Sequence, residues 1–174
     1  LYVEVSDPNV VVTGVWGNAA SPLRLQVPGG LFYSALQGYF ASSIEPLFFP
    51  SVPTLAHASW WTLNQEPDDD MGFLVNLGST ADYMDDMDDS SVQFDAEMGD
   101  GWFLYDNLMV GLPTASKLKL LGQFTPLGQG GICGQFNLEI RTLFDGEEEK
   151  FEQAYGLTFA TPGAEDLCAT GTPC

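Results

Sequence analysis

Gln135-Phe136-Asn137-Leu138-Glu139-Ile140-Arg141 and Ala154-Tyr155-Gly156-Leu157-Thr158-Phe159, separated by a segment containing Asp145-Gly146, decide the fold class. In the first stretch Phe136, Leu138 and Ile140 alternate with polar side chains; in the second Tyr155, Leu157 and Phe159 alternate with Ala154, Gly156 and Thr158. A period of two sends successive side chains to opposite faces of an extended strand. Two such runs flanking an Asp-Gly turn signal predict an antiparallel hairpin whose short acidic loop spans Gly146 to Lys150.

Further runs of the same kind extend in both directions from this hairpin. Leu118, Leu120, Gly122 and Phe124 alternate with Lys117, Lys119, Gln123 and Thr125, which predicts a strand with its leucine side buried and its lysine side wet. At the start of the chain, Leu1 to Val5 and Val10 to Trp16 are rich in β-branched residues and flank Asp7-Pro8-Asn9, so they read as two strands around a turn. Leu23 to Val27, Leu55 to Asn64, Met71 to Leu77 and Trp102 to Tyr105 read as further strands, and the Asp-rich stretch Asp82 to Gly101 as irregular. Pro46, Pro50 and Pro53 interrupt the apolar run from Tyr39 to Pro53, which predicts a packed loop crossing the fold. No long helix is expected, and Phe32 to Ala41 is the one stretch able to form a helix. Recurrent strands with turn signals between them predict an all-β antiparallel sandwich with jelly-roll character, occupying residues 1–162, followed by a cysteine-containing tail at 163–174.

The charge balance narrows the partners. There are 24 acidic side chains against five lysines and arginines, a formal net charge of −19, and Gln26 to Ser116 carries neither lysine nor arginine. Such a surface repels phosphate backbones and anionic lipid, so neither nucleic acid nor membrane insertion is expected. No apolar run approaches the roughly twenty residues that a membrane-spanning helix needs. The chain opens at Leu1 inside a strand-like run with no initiator Met, which reads as a secreted chain whose targeting segment has been removed.

Three cysteines, Cys133, Cys168 and Cys174, lack the close pairing of a zinc knuckle and are disulfide candidates. Either Cys168 joins Cys174 in a small terminal loop, or Cys133 ties the tail to the domain body. His57 is the single histidine, and beside two tryptophans it reads as a packed strand residue rather than a base. Neither a nucleophile elbow, nor a P-loop, nor a dinucleotide fingerprint is present, so the expectation is a protein without catalytic residues.

Two features point to binding. Asp82, Asp85, Asp86, Asp88, Asp89, Asp95 and Glu97 crowd hard oxygen donors into one short stretch, a density that suits Ca²⁺ and that Ca²⁺ would relieve of self-repulsion. An EF-hand register starting at Asp86 fails because Ser91 stands where the loop requires glycine. Trp60, Trp61 and Trp102 are candidate stacking platforms for sugar rings or partner surfaces. Adjacent Trp60 and Trp61 must point to opposite faces of a strand, so one of them is expected in the core and the other under a loop or on an interaction surface.

Several segments in order resemble a family of uncharacterised secreted β domains from marine bacteria and microalgae: Asp7 to Asn18, Ser21-Pro22-Leu23, Phe32-Tyr33, Ile44 to Pro50, Ser59-Trp60-Trp61-Thr62 and Leu121 to Thr125. The resemblance implies a secreted β domain, often followed by small cysteine modules, and carries no established activity. Ala58 stands where that family usually has an acid, and Asn64 where glycine is typical. Two functions are expected from residues and resemblance together. The first is a non-catalytic extracellular structural subunit of a surface or filamentous assembly, with copies of itself or other extracellular proteins as partners. The second is a Ca²⁺-dependent polysaccharide-binding or adhesion module of a larger secreted protein.

Overall fold

The computed structural model describes residues 1–34, 40–63, 74–77, 91–94, 100–104, 116–142 and 150–169. Over these residues the chain is all-β and antiparallel, with strands β1 (Tyr2–Glu4), β2 (Val10–Gly17), β3 (Leu23–Gln26), β4 (Trp60–Trp61), β5 (Leu74–Leu77), β6 (Ser91–Phe94), β7 (Asp100–Leu104), β8 (Leu118–Leu120), β9 (Gly122–Gln123), β10 (Cys133–Thr142) and β11 (Lys150–Ala160), then a short helix α1 (Glu165–Ala169). The first and last strands both pair within the chain, β1 with β8 and β11 with β10.

The hairpin of β10 and β11 is the spine of the larger sheet, paired from Cys133↔Ala160 to Thr142↔Lys150. On its other side β10 holds β3 and β2 end to end: Arg24 stands opposite Gln135 and Trp16 opposite Asn137. Residues 17–23 are therefore an excursion from what is otherwise one long rail. β6 and β7 pair with β3 and β2 in the same end-to-end manner, and β5 follows on β7. The smaller ladders, β1 with β8 and β4 with β9, are joined by backbone bonds from Leu121 N–H to Leu1 O (2.9 Å) and from Thr62 N–H to Leu121 O (3.1 Å). The main core lies between these layers: Val12, Val15, Trp102, Phe136 and Leu138 of the large sheet pack with Trp61, Leu63 and Leu121 of the smaller one.

The proline-interrupted segment lies across the other side of the small layer, as read from the sequence. Short 3-10 turns at Ala41–Ser43, Pro46–Phe48 and Pro53–His57 place Ala41, Ile44 and Phe49 against Trp60 and Leu120. Pro46 and Pro53 open their turns, where a missing N–H costs nothing.

Several expectations are corrected. The strand expected from Leu55 begins only at Trp60, because Pro53–His57 winds into a 3-10 turn, and His57 is exposed at its end instead of packed in a strand. Within the stretch read as irregular, Ser91–Phe94 pairs with β3 and Asp100 opens β7. Phe32 is bonded as extended chain, its N–H to Thr125 O and its carbonyl to Ser59 N–H, not as helix; residues 35–39 lie outside the described residues. The alternation over Leu118–Thr125 is inverted at its start: Leu118 is 52% exposed, whereas Lys119 is 2% exposed and donates through Nζ to Pro8 O at 3.1 Å. Lys119 shares its face with Leu121, toward the core, and its long stem lets the ammonium reach a carbonyl at the rim. Burial pushes that ammonium below the ordinary lysine range.

The cysteine alternatives resolve to a disulfide between Cys133 on β10 and Cys168 on α1. The tail beyond residue 162 is thereby tied to the body by a covalent bond between residues 35 apart in sequence. Cys174 lies outside the described residues.

Candidate interaction surface

Each rail of the large sheet turns one face to the core and the other away from it. Core-facing Val12, Val15, Leu138 and Ile140 fix the parity, so Val11, Trp16, Asn137, Glu139 and Arg141 belong to the outer face. On β11 the partner of Arg141 is Phe151 and the partner of Glu139 is Gln153, which puts both on that outer face. Strict alternation would then carry Tyr155, Leu157 and Phe159 outward together. A bulge prevents this: Phe136 pairs with Leu157 but Leu138 with Ala154, so Tyr155 and Gly156 share the place opposite Asn137. Gly156 takes the extra residue at φ +63°, a conformation that glycine reaches without steric cost. Leu157 and Phe159 stay against the core, and Tyr155 emerges on the outer face.

Asn137 holds this arrangement together. It is fully buried; its Oδ1 accepts from Gly156 N–H (2.9 Å) and Ser21 Oγ–H (2.6 Å), and its Nδ2 donates to Ser21 O (2.7 Å). One side chain thus pins the β11 bulge on one flank and the 17–23 excursion on the other. Asn18 shapes that excursion from within, accepting the N–H groups of Ala20 and Ser21. Trp16 and Tyr155, on rails either side of β10, lean together at the level of Asn137 with ring centroids 5.5 Å apart, edge to face. Farther along, the Arg141 guanidinium lies 4.7 Å from the centre of the Phe151 ring. Phe103 lies over Gly14, where a Cβ would come within 2.4 Å of its ring. The outer face therefore carries Phe103, Trp16, Tyr155 and Phe151, with Arg24 and Arg141 against Glu139, whose carboxylate accepts from Thr13 Oγ at 3.0 Å. In a chain of net charge −19, the described residues of this patch include two arginines and one glutamate.

β11 is also an edge. Among the described residues no strand pairs with its free side, and it runs for eleven residues with Phe151 56% and Tyr155 57% exposed. On the core-facing side of the same flank, β1 and β11 leave between them a groove of about 450 Å³ with Val3, Val5, Val10, Ile140, Ala154 and Leu157 on its walls. Glu4, Asp7 and the ion pair of Lys150 with Glu152 stand at that groove.

The tryptophans singled out from the sequence are not at this surface. Trp60, Trp61 and Trp102 are 4%, 3% and 2% exposed, so none offers a face to a sugar or partner. Trp60 and Trp61 do point to opposite faces, as extended geometry requires, but both faces are covered. Trp61 packs on Trp102 (4.5 Å between centroids) and Phe124 (4.7 Å) in the main core, while Trp60 lies under the proline-rich segment. Trp102 is further held by its Nε1–H bond to Thr62 O. Trp16, Tyr155 and Phe151 were missed because the bulge hides the parity of β11, and because an aromatic at the edge of a sheet reads in sequence like one at its centre. The calcium candidates Asp82, Asp85, Asp86, Asp88, Asp89, Asp95 and Glu97 all lie outside the described residues; among the described residues no three acidic, histidine or cysteine side chains form a group able to hold a metal. No helix among the described residues is long and apolar enough to cross a membrane. Ala58, where the resembled family has an acid, is fully buried with its carbonyl bonded by Gln123 Nε2, so this backbone leaves no room for a solvated carboxylate there. No protein-family model, no curated protein and no solved structure matches this chain, so its function is read from its own residues.

Proposed function

We propose that this chain is a non-catalytic extracellular structural protein, a subunit of a surface or filamentous assembly that associates through its β11 flank. The observation that carries the reading is an eleven-residue edge strand bearing two aromatic side chains more than half exposed. Open edges template pairing with another chain, and proteins that do not use them keep them short or covered. The disulfide at the end of the hairpin suits an oxidising compartment outside the cell. Ca²⁺ bound by the acidic cluster between Asp82 and Glu97 is part of the proposal, because copies of net charge −19 approach one another more readily once their carboxylates are neutralised.

Size-exclusion chromatography with light scattering, and negative-stain imaging, across a range of salt and with Ca²⁺ or chelator, test this reading. Oligomers or filaments that weaken on chelation support it, and a chain monomeric under every condition refutes it. The outer face favours a second reading, an adhesion module for polysaccharide. Exposed Phe151 and Tyr155, steadied by Arg141 and Trp16, form a stacking surface for sugar rings beside the polar side chains Gln153 and Glu139. Retention of the monomer on immobilised polysaccharide, lost in Tyr155→Ser, would favour that reading over the first.

A further inference from the structure

We infer that β11 pairs with β11 of a second copy, antiparallel, through residues 151–155, with Gln153 on the twofold axis and Phe151 of each copy opposite Tyr155 of the other. The inference rests on the assembly reading and specifies one contact of it, a dimer contact; extending dimers into a filament requires a second contact on each copy.

The direction of the backbone groups comes first. Ile132 O accepts the N–H of Thr161 on the returning strand, so on β10 every second residue from Ile132, including Leu138, Ile140 and Thr142, faces β11. Their partners Ala154, Glu152 and Lys150 face inward in return. Phe151, Gln153 and Tyr155 therefore direct N–H and C=O away from the sheet, three consecutive donor and acceptor pairs along the open edge. Beyond Tyr155, Gly156 turns its N–H inward to Asn137, and the bulge breaks the regular spacing. The flat part of the edge is thus bounded at Gly156, and its centre is Gln153.

The side chains agree with that register. Phe151 and Tyr155 lie on the same face at equal distances from Gln153, so a twofold axis there makes two cross-strand aromatic pairs and covers four rings that are otherwise half exposed. On the inner face Glu152 would meet Ala154, a small neighbour that leaves room for the ion pair with Lys150. Charge selects the place. Lys150 and Glu152 cancel, and Arg141 and Glu139 beside them cancel, so two chains of net −19 meet here without like charges opposed. The symmetry is isologous: the same edge serves both copies and is consumed in the pairing.

The test uses the full chain. Gln153→Cys places two thiols on the axis at about 5.5 Å between Cα atoms, within disulfide range. Mild oxidation should give a covalent dimer well above the baseline of the parent chain, while Phe151→Cys, whose copies lie far apart across the axis, should not. Gln153→Pro removes an outward N–H and leaves the bonds to β10 intact; it should weaken dimerisation at least tenfold with an unchanged circular dichroism spectrum. If oligomers form but Gln153→Cys does not cross-link above baseline, the contact is elsewhere and this inference is wrong while the assembly reading stands. If the parent chain is monomeric at every concentration, both are wrong. Should Gln153→Pro fail to fold, the comparison of the two cysteine variants decides alone.

Discussion

Trp60 and Trp61 on β4 retain 4% and 3% of their surface, whereas Phe151 and Tyr155 on β11 retain 56% and 57%. Both strands present aromatic side chains, and by composition β4 is the more conspicuous. The difference lies in what is stacked above and below. β4 has the large sheet on one side and the proline-rich segment on the other, so each indole is enclosed whichever way it points. The outer face of β11 has no described layer above it, and its free edge has no described neighbour. Aromatic residues thus stabilise the body at one strand and remain available for recognition at the other, and the number of covering layers separates the two roles.

Truncation on the covered side should have the largest effect. Trp61→Ala removes a ring packed on Trp102 and Phe124 and should cost about 3–5 kcal/mol, read as a shift of the urea midpoint. A cost under about 1 kcal/mol would mean that β4 is not an interior strand. Next comes the disulfide that closes the far end of the hairpin. Replacing Cys133 and Cys168 by Ser should lower stability by about 3–4 kcal/mol, from loop closure over 35 residues. Asn137→Ala strands the Gly156 N–H and removes both links to Ser21; about 2–3 kcal/mol is expected. Hydrogen exchange in this variant should rise at both 17–23 and 155–157, because one side chain serves both.

A smaller effect tests the inner face of the small layer. Since burial lowers the Lys119 value in the folded state, its cost is fully present below that lowered value. The unfolded chain then holds more protons between the lowered and the ordinary lysine value, so parent stability should rise with pH across that window. Lys119→Met should lack this rise, which paired denaturation curves on the alkaline side would show. The smallest effect on stability is expected at β11. Phe151→Ser and Tyr155→Ser should each stay within about 0.5 kcal/mol of the parent, yet weaken association measurably in sedimentation. A large destabilisation at either residue would erase the contrast between the two strands.

How much of this was legible beforehand differs by element. The β10–β11 hairpin and the all-β class follow from periodicity, which depends only on backbone geometry and the exclusion of apolar groups from water; β2 follows from its β-branched composition. The packed loop read over Tyr39 to Pro53 follows from its prolines, whereas the 3-10 turn that carries it on to His57 was read as strand. The candidate surface was only half legible. Alternation marks Tyr155 as a member of a strand, whereas Phe151 falls outside the alternating run at 154–159; the exposure of both depends on a bulge at Gly156 and on β11 having no strand on its free side among the described residues. Likewise nothing local distinguishes Lys119, which is buried, from Lys117, which is exposed.

By itself the amino-acid order determined that this chain forms antiparallel strands, carries a strong negative charge and holds a thiol able to tie its tail to its body. Tertiary structure alone decided which faces are covered, that Cys133 meets Cys168, and that one buried amide sets the register of two neighbouring rails. The physical reason is one of range. Strand formation is a local consequence of side-chain alternation, whereas burial and register depend on residues such as Ser21, Asn137 and Gly156, brought together only when the sheet closes.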